Sequence, residues 1–125
     1  MKIAIHSEAA PKAVGPYSQA VQTGKMVFVS GQLGMNSDGV MVGEDVASQA
    51  RQCLENLRAI LKEVGMTMDQ VVKATIFLTD LNDFGTVNAI YQEAFTPPYP
   101  ARACVEVSRL PRDGKVEIEV IAALD

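Results

Sequence analysis

The chain has 125 residues, 48% of them hydrophobic and 21% charged, with 6 prolines spread along it; this is ordinary for one compact domain with its own core and excludes disorder as the general state. The formal net charge is -4, and the 11 Lys and Arg are dispersed rather than gathered into a stripe, which argues against nucleic acid as a ligand. Cys53 and Cys104 have no Cys or His nearby at ligand spacing, so neither a zinc site nor a disulfide framework is expected.

The opening stretch "MKIAIHSEAAPKAVG" has a short apolar run broken by His6 and Glu8, unlike the continuous core of a signal peptide. No stretch approaches membrane-spanning length. A single domain over 1–125 in a reducing cytoplasm, without a linker, is the expectation.

"KIAI", "SQAVQT" and "MVFVSG" read as strands, with Gly24-Lys25 as the hairpin turn between the second and third. From Asp45 the spacing becomes helical, with Val46, Ala50, Cys53, Leu54, Leu57, Ile60, Leu61 and Val64 on one stripe and Arg51, Glu55, Arg58 and Lys62 off it; Gly65 is a natural stop. "DQVVKATIFLTD" alternates as a strand, with Val72, Ala74, Ile76 and Leu78 on one face and Lys73, Thr75, Phe77 and Thr79 on the other. "LNDFGTVNAIYQEAF" carries Phe84, Val87, Tyr91 and Ala94 at helical spacing, with Asp80 or Asn82 as candidate caps and "TPPYP" as its end. "PARACVEVSRLPRDGKVEIEVIAAL" reads as two strands around a turn, a final hairpin.

The order β-β-β-α-β-α-β-β predicts an α+β fold: a single mixed sheet with two helices packed on one face. The opposite face, with Phe28, Thr75, Phe77 and Cys104, is left without a cover, and a homo-oligomer is the simplest way to keep it dry.

In the last two strands, alternation sets Arg102 and Cys104 against Ala101, Ala103 and Val105, and Glu117 and Glu119 against Val116, Ile118 and Val120. With both apolar rows turned toward the helices, Arg102, Cys104, Glu117 and Glu119 share the uncovered face. Arg102 then either pairs with Glu117 or Glu119 across strands or holds an anionic ligand, and residue types alone leave both open. Cys104 has no second His or Lys in a suitable position to lower its pKa, so a small buried filler is expected. His6, the only histidine, is expected at the surface or on an edge strand. "GPYSQAV" and "VSGQLG" are in themselves turn chemistry, with Tyr17 a packing residue, and no phosphate loop or dinucleotide fingerprint occurs.

Taken in order, "GPYSQAV", "VFVSGQLG", "QARQCLENLRAIL", "TIFLTDLNDFGTVNAIYQEAF" and "YPARACVEVSRLPRDGKVEIEVIA" closely resemble the Rid family, the reactive intermediate deaminases also called YjgF proteins, over almost the whole chain. The last motif is the mark of the deaminase branch. The resemblance implies a trimer of chorismate-mutase-like architecture with clefts at the subunit boundaries. The implied activity is hydrolysis of 2-imino acids, such as 2-iminobutanoate and 2-iminopropanoate, to 2-keto acids and ammonia without a cofactor or metal. By position, Arg102 matches the family's carboxylate-binding arginine and Glu117 the glutamate that holds the water. Tyr17, Ser30, Gly31, Asn88 and Cys104 match residues that line the cleft. "QLG" stands where many members have Gln-Ile-Pro, and "TPPYP" is shorter than in some relatives. The alternative from another class is a non-catalytic module that binds small carboxylates. A ribonuclease, a label some relatives carry, would want a cationic surface and a pair of acid and base groups, which an acidic chain with one histidine fits badly.

Overall fold

A computed structural model describes residues 1–125. Its strands are β1 (Lys2–Ile5), β2 (Ala20–Thr23), β3 (Met26–Leu33), β4 (Val71–Leu78), β5 (Ala101–Glu106) and β6 (Val116–Ala123), and its helices are α1 (Val46–Lys62) and α2 (Phe84–Ala94). All lie where the sequence predicts them. They form one mixed sheet in the order β1-β2-β3-β6-β4-β5, and residues of both helices join the strands in one hydrophobic core. No helix is long and apolar enough to cross a membrane.

β1, β2 and β3 make the expected antiparallel meander, closed between β2 and β3 by Gly24-Lys25 with Gly24 at φ +57°. α1 begins at Asp45, whose carboxylate accepts the backbone N–H and the hydroxyl of Ser48, both at 2.9 Å. It ends in a Schellman turn: Gly65 takes φ +73°, its N–H reaches Lys62 O and the Met66 N–H reaches Leu61 O, both at 3.0 Å. The stripe read from the sequence is the buried face. Gln49 and Asn56 are buried with it, donating to Gly43 O at 2.8 Å and to Met35 O at 2.8 Å, which ties the segment after β3 to the helix.

Two expectations are corrected. β5 and β6 do not form a hairpin: β6 lies between β3 and β4, antiparallel to both, while β5 lies outside β4 and parallel to it. β3 and β4, joined through α1, therefore run parallel with a gap of one strand. β6 fills that gap because Val116, Ile118, Val120 and Ala122 are all buried there, whereas β5 keeps five of its six residues exposed and suits an edge. The second correction concerns Val72. A register shift between Val71 and Lys73 turns Val71 into the core and leaves Val72 exposed.

Gly34, just past β3, fixes how closely α1 approaches: a Cβ there would lie 2.6 Å from both Cα and Cβ of Gln49. Since the obstacle includes helix backbone, Gly34→Ala is expected to destabilise the fold by about 1–3 kcal/mol. Denaturant unfolding checks this, and an unchanged midpoint would show that α1 can shift freely on the sheet.

Candidate active site

Two groups of the predicted site residues come together, on opposite faces of the sheet. The first is built by β5 and α2. Register with β4 sets Arg102 beside Ala74 and Cys104 beside Ile76, residues of the helix-covered face. The Arg102 side chain lies against α2: Nη1 donates to Asn88 Oδ1 at 2.7 Å, and the guanidinium carbon stands 4.8 Å from the ring centre of Tyr91 and 5.4 Å from that of Phe84. A cleft of about 390 Å³ opens here, lined by Asn88, Tyr91, Gln92, Tyr99, Pro100 and Arg102. Cys104, half-buried, packs on the core. Burial pushes its thiol pKa up, with Arg102 pulling the other way, so the thiol is a poor nucleophile.

This corrects the expected face of β5. Arg102 and Cys104 turn toward the helices, and Val105, registered with Phe77, takes the uncovered side. Both rows of β5 are small or mixed in character, so hydrophobicity distinguishes them weakly. The surface of α2 decides, because its aromatic faces and amide oxygen suit a guanidinium.

The second group lies on the uncovered face. Register places Glu117 beside Phe77 and Glu119 beside Thr75. A bulge between Val29 and Gln32 holds Ser30 and Gly31. A Cβ at Gly31 would stand 2.7 Å from Glu117 Cδ and 2.9 Å from its Oε1, so only glycine leaves this carboxylate its place. Ser30 is anchored to the β1–β2 connection, its hydroxyl donating to Ser18 O at 2.6 Å and its N–H to Gln19 O at 2.9 Å. Tyr17, the next residue back along the chain, is exposed, with its hydroxyl 3.4 Å from the donating N–H of Val14. Gln19, buried and not singled out by its sequence context, shapes this connection by accepting from Ser7 N at 2.6 Å and donating to Pro11 O at 2.8 Å. Half-burial raises the pKa of Glu117, and the negative charge of Glu119 raises it further.

Arg102 therefore makes no cross-strand pair with Glu117 or Glu119; β4 separates their strands and they project from opposite faces. The ion pairs of the chain are Glu55–Arg58 and Arg109–Asp113, and His6 lies beside Glu8. His6 is exposed and bonded to Glu8 at 3.0 Å, away from both groups, as expected of a surface residue. The uncovered face carries Phe28 at 45% exposure and Val105 at 42%, a large apolar contribution for open water.

Among proteins of known name, the chain is 51% identical over 125 residues to the 2-iminobutanoate/2-iminopropanoate deaminase of Salmonella typhimurium, covering 98% of each. Among solved structures it is similar to RidA of the Antarctic bacterium Psychrobacter sp. (TM-score 0.94, 43% identity, 98% of this chain and 99% of that one). It is likewise similar to E. coli TdcF with bound serine (TM-score 0.93, 44% identity, 98% and 99%). Residues 7–124 match the family described as Endoribonuclease L-PSP, and with the whole fold in agreement the chain belongs to this family, the one that includes the Rid proteins.

Proposed function

We propose that the chain hydrolyses small 2-imino acids, 2-iminobutanoate and 2-iminopropanoate among them, to 2-keto acids and ammonia, in clefts shared by copies of itself in a cytoplasmic homotrimer. The observation that carries this reading is the pair of groups itself, a guanidinium held by α2 and a carboxylate of raised pKa, in a chain 51% identical to a deaminase named for those two substrates.

The two groups face opposite ways in one chain, so a cleft containing both draws Arg102 from one copy and Glu117 from its neighbour. Such packing also covers the apolar side chains of the uncovered face. Arg102 meets the substrate carboxylate with two parallel N–H donors. Glu117 takes a proton from water as the water oxygen attacks the C=N carbon and the π pair moves to nitrogen. Both protons of that water end on nitrogen by way of Glu117. The C–N bond then breaks, C=O forms and ammonia leaves. No covalent intermediate is needed, in keeping with the unreactive state of the Cys104 thiol. By their match to the family's cleft residues, Tyr17, Ser30 and Gly31 would line the Glu117 side, and Asn88 and Cys104 the Arg102 side.

The Arg102 group alone could hold a carboxylate, which favours a non-catalytic binding module as the second reading. The assay generates the imine in situ from threonine with a pyridoxal-phosphate dehydratase and follows release of 2-ketobutyrate. Faster release in proportion to added protein is expected. A rate that does not change over a range of protein concentrations would leave the binding module as the better account. Ribonuclease action has little support: the net charge is -4 and the one histidine is exposed and paired with Glu8.

A further inference from the structure

We infer that α2 is the positioning device of Arg102: Phe84, Asn88 and Tyr91 form a cradle that holds the guanidinium in one orientation before any ligand arrives. This rests on the reading of Arg102 as the carboxylate-binding residue. The three stand at i, i+4 and i+7, hence on one stripe of α2. Asn88 Oδ1 takes a single donor of the fork at 2.7 Å, leaving the remaining donors for a ligand. The rings of Tyr91 and Phe84 face the guanidinium carbon at 4.8 and 5.4 Å, distances at which aromatic faces attract a cation.

Arg102 stands on an exposed edge strand, where a long side chain would otherwise sample many rotamers and lose that freedom on binding. The cradle removes most of the loss in advance. Tyr91 is its fixed wall: it is buried and its ring packs on Phe95 with centroids 4.5 Å apart. The Tyr91 hydroxyl is buried without a hydrogen-bond partner, so the ring face, and not the hydroxyl, makes the contact with Arg102. Asn88, which also lines the cleft, acts on binding through Arg102 and is in this respect a positioning residue.

The test uses 2-ketobutyrate as the probe, its Kd measured by calorimetry beside KM and kcat for the imine. Tyr91→Leu and Asn88→Ala are each expected to raise Kd and KM about fivefold with a smaller change in kcat. Tyr91→Phe keeps the ring and is expected to stay within about twofold of the parent. Phe84→Leu, at the exposed start of α2, is expected to raise Kd about threefold and serves if the Tyr91 variants fold poorly. Added to Arg102→Lys, Tyr91→Leu should cause no further loss, because its effect passes through the guanidinium. Several results overturn the cradle: Leu variants that bind like the parent while Arg102→Lys binds weakly, a Tyr91→Phe variant as impaired as Tyr91→Leu, or fully additive losses in the double variant. Unchanged binding by Arg102→Lys itself overturns the role of Arg102 and the cradle together.

Discussion

Glu117→Gln is expected to lower kcat about a hundredfold while KM moves little, the loss typical of removing a general base. Glutamine matches the shape, can still hold a water and fits against Gly31, whose absent side chain leaves room for the residue. What it cannot do is accept a proton. The parent's pH dependence tests the same assignment. Burial first, and Glu119 second, raise the pKa of Glu117; the base works in its ionised form, so kcat should fall as pH drops through that raised value. Glu119→Gln removes a negative neighbour, stabilises the ionised form and should move the acidic limb to lower pH. Stopped-flow assays over a pH range read both effects. Should the Gln variant turn over like the parent with the same limb, the water is activated elsewhere and this mechanism is wrong even though the reaction stands.

The extent of each element was legible because helical and strand periods are local. α1 announced itself through its stripe and its stop at Gly65, and β6 through strict alternation of Val116, Ile118 and Val120 with Glu117 and Glu119. The order of strands was not legible in the same way. A short connection makes β5 and β6 look like hairpin partners, whereas their places follow from a competition for the centre of the sheet, which the more apolar strand wins. Arg102 and Glu117 were found by motif, but their placement on opposite faces depended on a contact between Arg102 and Asn88, 14 residues apart in sequence. Alternation within β5 could not foresee it, since neither row is decisively apolar. Asn56 was within reach: it lies three residues after Cys53 and four before Ile60, on the stripe itself, and position there implies burial whatever the polarity. Val72 was beyond reach, because a bulge changes the alternation without any Gly or Pro to announce it.

Arg102→Lys is expected to raise KM and lower kcat/KM by about tenfold or more, since lysine keeps the positive charge but loses the planar two-bond grip on a carboxylate. It also loses the flat group that Tyr91 and Phe84 flank. A competing 2-keto acid should therefore bind the Glu117→Gln protein well and the Arg102→Lys protein poorly. The two damaged proteins together give a sharper result. Arg102 and Glu117 project from opposite faces of one sheet, so in the proposed trimer a working cleft would take one residue from each of two neighbouring chains. If subunits of the two variants are mixed equally and allowed to exchange, about a quarter of the clefts in random trimers should join an intact Arg102 to an intact Glu117. Activity should reappear in that proportion, above the residual activity of either variant alone. No recovery, with mixed trimers demonstrated by mass, would mean that each cleft draws both residues from the same chain, an arrangement that requires the sheet to present Arg102 and Glu117 on one side.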